Sequence, residues 1–112
     1  MIIENNALKG IKSELSHLDD VSSRIGFIRN QWEYTRATYD YKITYEGQDY
    51  YLRLDTRAVE GKLEQPHAVL QVGDAYIGRA TFPHGLSYNE SFPAHVLKAA
   101  ESKLAELANL LK

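Results

Sequence analysis

Four histidines, His17, His67, His84 and His95, are the side chains that could move protons near neutral pH or ligate a metal. No two lie within four residues of each other, so local spacing builds neither a zinc site nor a catalytic triad. His67 and His84 fall in loop-like stretches, and a carboxylate beside either would make a loop-histidine enzyme, the last of three functional readings. The sequence has no glycine-rich phosphate loop, no GxSxG elbow and no calcium-loop pattern. Asp19 and Asp20 are adjacent on an expected helix, so their carboxylates diverge and form no acid/base dyad. With no cysteine, disulfides and thiolate metal ligands are excluded. No catalytic residue, metal ligand or cofactor is assigned.

The other chemistry on offer is binding. Six of the eight tyrosines, together with the single tryptophan, fall between Gln31 and Thr56. Most of that excess reads as core and sheet surface, because aromatic residues suit strands. Tyrosine and arginine also concentrate at interaction hot spots, where they combine contact area with a polar tip. Lys42, Tyr51, Arg53 and Arg57 are the candidates, grouped on one polar sheet face. Arg79 joins them only if the strand order allows. Glu33, Asp40, Asp49 and Asp55 share the face, and 13 basic residues against 15 acidic ones leave a net charge of −2. A nucleic-acid platform needs a basic excess, so none is expected.

These residues must be positioned by strands. From Phe27 onward the apolar period is two: Ile28, Trp32 and Tyr34 alternate with Arg29, Glu33 and Thr35. Tyr39, Tyr41, Ile43 and Tyr45 then alternate with Thr38, Asp40, Lys42 and Thr44, and Tyr50, Leu52 and Leu54 with Tyr51, Arg53 and Asp55. Paired residues of a hairpin share a face, so parity fixes the turns. A turn at Glu46-Gly47 sets Ile43 opposite Tyr50, Tyr41 opposite Leu52 and Tyr39 opposite Leu54, all inward. The same register sets Asp40 opposite Arg53 and Lys42 opposite Tyr51 on the outer face. An Arg36-Ala37 turn sets Tyr34 opposite Tyr39 and Trp32 opposite Tyr41, although its turn chemistry is poor.

The remaining chain supplies cover. Met1 to Gly10 reads as a short edge strand or extended arm. Ile11, Leu15, Leu18, Val21 and Ile25 recur at helical spacing, with Ser13 or Ser16 as cap and Gly26 as stop. Ala68 to Val72 and Ala75 to Thr81 are β-runs, joined at Gly73-Asp74 by either a tight hairpin or a bulge. Phe82 to Ser91 is a loop by composition. Pro93 opens a C-terminal helix whose stripe runs Leu97, Ala100, Leu104, Leu107 and Leu111. The expected fold is one α+β domain over residues 1–112. Its antiparallel sheet has four to five strands with two helices packed on one face, in the order β-α-β4-α. No apolar run is long enough to span a membrane, and the first ten residues lack a leader pattern, so a cytoplasmic protein is expected.

Trp32-Glu33-Tyr34, Tyr39 to Ile43, Tyr51 to Leu54, Ala58 to Gly61 and Ala68 to Gly73, with a helix ending Ile25-Gly26-Phe27 and a leucine-rich last helix, together resemble the YugN-like family of small bacterial proteins. The resemblance covers almost the whole chain, in ordered segments and without one sharp motif. Asp55 stands where the family pattern has proline after Leu54, and Arg36-Ala37 departs from a turn with glycine second. The family implies an α+β domain with no established catalytic activity and no catalytic residues to carry over. The first functional expectation is therefore a non-enzymatic interaction or accessory module. It would act through the Tyr/Arg face on an unknown protein or on itself as a homodimer. The alternative is a small-ligand binder with a pocket between the sheet and the C-terminal helix.

Overall fold

Uninterrupted alternation produces the central hairpin. In the computed structural model, which describes residues 1–3, 6–31, 33–81, 85–88 and 90–111, strand β4 (Arg36–Tyr45) runs into β5 (Gln48–Glu60). The connection is the two-residue turn Glu46-Gly47, with φ of 50° and 77°. Positive φ at both positions gives a turn whose twist matches the flanking strands, and Gly47 adopts it without strain. The register is the one that parity requires: Tyr39 faces Leu54, Tyr41 faces Leu52 and Ile43 faces Tyr50. Of these, Tyr39, Ile43, Tyr50, Leu52 and Leu54 are buried.

Strand β6 (Val69–Thr81) continues the sheet beside β5, and Gly73-Asp74 is a bulge within it rather than a hairpin turn. Leu54 pairs with Ala75 and Thr56 with Val72, leaving Gly73 and Asp74 opposite Asp55. The extra residue changes which side chains point inward, so Leu70 and Val72 share the core with Ala75 and Ile77 despite their opposite parity. The far edge of β6 is covered in pieces. β2 (Lys12–Glu14) pairs with residues 69–71, β1 (Ile2–Ile3) with 75–76, and β7 (Gly85–Ser87) with 79–81. Between them Gly10 N–H donates to Val72 O and Val72 N–H to Ile11 O, so little of that edge is left to recruit another strand.

The result is a seven-stranded antiparallel sheet with its long path in the order β1-β6-β5-β4-β3, where β3 is Ile28–Asn30. Two helices, α1 (Leu15–Arg24) and α2 (Ala94–Leu111), complete a mixed α+β domain. The chain order is β-β-α-β5-α, which corrects the expected four to five strands and β-α-β4-α order. Each added strand has a local cause. The helix expected from Ile11 starts at Leu15 because Lys12–Glu14 pairs with β6. Neither serine caps it; Leu15 and Ser16 N–H donate instead to the carbonyls of Ala68 and Pro66. Gly85–Ser87, expected as loop, returns along β6.

The expected Arg36-Ala37 turn is also corrected. β3 pairs Ile28 with Asp40, Arg29 with Tyr39 and Asn30 with Thr38, a different register from the expected one. Phe27 takes the inward position, Arg29 follows it inward, and Ile28 and Tyr34 are 68% and 61% exposed. Arg29 Nη1 lies 3.4 Å from Asp19 of α1, which also accepts the Tyr39 hydroxyl at 2.6 Å. An arginine and a tyrosine thus reach one helix carboxylate, the tyrosine through a hydrogen bond and the arginine at ion-pair distance without one, and both face inward. Trp32, expected inward opposite Tyr41, lies outside the described residues.

Leu15, Leu18 and Val21 of α1 and Val96, Ala100, Leu104 and Leu107 of α2 join the inward sheet residues in one core. Polar aromatic contacts hold α2 at its rim: His95 stacks on Tyr45 at 4.8 Å between centroids, and Lys103 Nζ lies 4.7 Å over the Tyr41 ring. α1 ends in a Schellman motif, with Phe27 N–H donating to Ser22 O and Gly26 N–H to Ser23 O. No helix is long and apolar enough to cross a membrane among the described residues.

Candidate binding face

Because both helices pack on the inner face, the outer face of β4, β5 and β6 is left without a helix. Its residues fall in rows across the strands: Arg36, Arg57 and Gln71; then Thr38, Asp55 and the bulge; then Asp40, Arg53 and Tyr76; then Lys42, Tyr51 and Gly78.

The third row is the most ordered. Asp40 is 8% exposed, yet it is a carboxylate on the outer face. It is held there by donors: Arg53 Nε at 2.9 Å to Oδ1, Arg53 Nη2 at 2.9 Å to Oδ2, and Asn30 Nδ2 at 2.9 Å to Oδ2. This bidentate, charge-assisted hydrogen bonding to Asp40 pushes the Arg53 guanidinium further up its range. Arg53 Nη1 also donates to the Tyr88 hydroxyl at 3.2 Å. The Tyr88 ring can lie there because Gly78 has no side chain; a Cβ at that position would stand 3.0 Å from Tyr88 Cε1 and from Leu86 Cβ. Tyr76 meets Tyr88 edge-on at 6.1 Å and donates its hydroxyl to Asp55. Burial first, and then that bond to a carboxylate, pushes the Tyr76 hydroxyl up to about 12.

Two adjoining cavities of about 540 Å³ each open on this face. The first lies over the bulge, with Lys9, Arg36, Arg57 and Asp74 on its walls. The second is lined by Met1, Ile2, Arg53, Tyr76 and Tyr88. Thr38 and Asp55 line both, so the two form one groove. Thr38 Oγ1 is buried with no hydrogen-bond partner among the described residues.

The four sequence candidates divide. Arg57 lines the first cavity and Arg53 the second. Lys42 and Tyr51 face each other on the same surface beyond the groove, with Lys42 Nζ 3.5 Å from Asp49. Arg79 is turned to Glu90, at 2.6 Å. Sequence reasoning placed Thr38 on this face without making it a candidate, and missed Arg36, Tyr76 and Tyr88. Arg36 was assigned to a turn, the bulge hid the facing of Tyr76, and Tyr88 follows a strand that reads as loop. His17, His67 and His95 are all exposed, and His67 Nδ1 is 4.0 Å from Glu14 Oε2. His84 lies outside the described residues. Among the described residues no three of His, Asp and Glu converge as a metal site would need. Neither cavity reaches between the sheet and α2, where Tyr39, Leu52, Val96 and Leu104 are buried in the core.

A helix-backed antiparallel sheet with one bare polar face defines the class: a small α+β domain whose open chemistry lies on the sheet. The chain belongs to the YugN-like family, whose model matches residues 4–107. It is 38% identical over 110 residues to the uncharacterized protein YlbA of Bacillus subtilis (strain 168), covering 96% of this chain and 92% of that one. It is 31% identical over 83 residues to the uncharacterized protein YugN of the same organism, covering 73% of this chain and 62% of that one. The crystal structure of the uncharacterized conserved protein YugN from Geobacillus kaustophilus HTA426 superposes with a TM-score of 0.86 at 33% identity, over 99% of this chain and 94% of that one.

Proposed function

We propose that the protein is a non-enzymatic binding module that acts in the cytoplasm through the outer face of its sheet, on a protein partner or a second copy of itself. The observation that carries this reading is the helix-free outer face of β4–β6, which presents Tyr51 and Tyr76 beside Arg53 and Arg57, with Tyr88 laid against Arg53 and Tyr76 from beyond β7. Aromatic and arginine side chains held in fixed rotamers lose little entropy on contact, which suits recognition. A second reading, a small-ligand binder, is favoured by the two adjoining cavities, which fall in the size range of ligand pockets. Its pocket then lies on the outer face and not under α2.

The test is an amide-shift map of the 15N-labelled protein mixed separately with the macromolecular and small-molecule fractions of a cytosolic extract. Shifts are expected at Lys42, Tyr51, Arg53 and Arg57, and the fraction that produces them separates the two readings. Shifts confined to the exposed sides of α1 and α2 would overturn the assignment of the face.

A further inference from the structure

The outer-face groove is electrically divided. Arg36 and Arg57 stand directly opposite each other on adjacent strands at the mouth of the first cavity. Like charges in that position repel. Lys9 is paired with Asp74 at 2.8 Å, Arg53 with Asp40, and Asp55 accepts from Tyr76. Neither Arg36 nor Arg57 has a carboxylate within ion-pair distance among the described residues. The groove therefore holds at one end two guanidinium groups outside any ion pair, with the Glu33 carboxylate on the same cavity wall but beyond ion-pair distance of both. At the other end are the rings of Tyr76 and Tyr88 and the side chains of Met1 and Ile2. Between them sit the Thr38 hydroxyl, which lacks a partner, and the Asp55 carboxylate.

We propose that this groove binds a small organic anion. Its oxyanion group, carboxylate or phosphate, bridges Arg36 and Arg57, and its flat apolar body lies against Tyr76 and Tyr88. A planar guanidinium pair matches oxyanion geometry and gains most where the two charges otherwise repel. Four residues separate the Arg57 row from the Arg53 row, roughly 13 Å at the backbone, and the long arginine side chains, leaning along the strand, shorten the distance a ligand must bridge. Inorganic phosphate is too short to use both ends, and a neutral aromatic uses only one. The proposal rests on the outer face being the binding surface.

Four probes test it by titration of the 15N-labelled protein, followed at the arginine Nε and backbone amide signals: phenyl phosphate, 3-phenylpropionate, 3-phenylpropan-1-ol and inorganic phosphate. Both aromatic anions are expected to shift Arg36, Arg57, Tyr76 and Tyr88, and to bind at least about tenfold more tightly than the alcohol or inorganic phosphate, the scale of one charge-assisted contact. The tighter of the two anions identifies the oxyanion source. Arg57→Gln is expected to weaken both by about tenfold while melting at or above the parent temperature, since it removes a like-charge contact. Equal binding of the alcohol, equal binding of inorganic phosphate, or unchanged affinity in Arg57→Gln would each overturn the anion assignment. If the alcohol still shifts Tyr76 and Tyr88, the binding-face reading stands without it. Shifts confined to α1 and α2 would overturn both.

Discussion

At the scale of single residues, the outer face is organised by a charge that has left water. Asp40 is nearly sealed on a polar face, and three donor contacts from Arg53 and Asn30 replace its hydration. Replacing it with asparagine keeps the shape but leaves Arg53 short of its counterion. We expect Asp40→Asn to cost about 2–3 kcal/mol in urea unfolding with an unchanged m-value. A loss under about 0.5 kcal/mol would mean that solvent already screens the pair. Tyr76 gives a second residue-level outcome. Its folded-state value of about 12 lies above the ordinary 10.0. The stability it lends is therefore whole below about pH 10 and is lost as pH rises through 12. Ring 13C shifts against pH should show this late ionisation. Asp55→Asn should bring the midpoint only part of the way back, because burial remains the larger cause.

At the scale of elements, the β4–β5 hairpin was legible because nothing interrupts its alternation and Gly47 marks its turn. One parity argument placed the inner and the outer side chains at once. The same reasoning failed at β3, where Asn30 breaks the apolar face and Arg29 turns inward to reach Asp19, shifting the pairing and reversing the facing of Ile28. It stopped at Gly73-Asp74, since a bulge and a hairpin share the same residues and differ in long-range pairing. Lys12–Glu14 has no strand signal of its own and becomes one because β6 offers it an edge. The groove inherits these gaps: Arg53 and Arg57 came from the legible hairpin, while Tyr76 and Tyr88 depend on the bulge and on β7. The end of α1 was readable, and it yields a test. Gly26 has φ of 101°, and a Cβ there would lie 2.9 Å from Tyr41 Cε1. Gly26→Ala should lower stability by about 1–2 kcal/mol from the backbone alone, more if the Tyr41 ring cannot give way, as measured by thermal unfolding.

At the scale of the whole molecule, the two faces of one sheet divide the work. The inner face joins both helices in one core, and the outer face pairs Lys9, Lys42 and Arg53 with carboxylates while Arg36 and Arg57 have no ion pair among the described residues. The patchwork edge of β6 has a further consequence, in time rather than in space. Ile2 pairs with Tyr76 and Lys12 with Gln71, so the first strands synthesised must wait for some of the later ones. While the chain is still emerging from the ribosome, α1 and the β4–β5 hairpin can form from neighbouring residues, but β1 and β2 have nothing to join. Closing so long a loop is slow, because its entropy is lost before any pairing compensates. The nascent protein thus passes through an interval in which β6 has arrived and its outer edge is still bare, when a holding chaperone would have most to gain by binding.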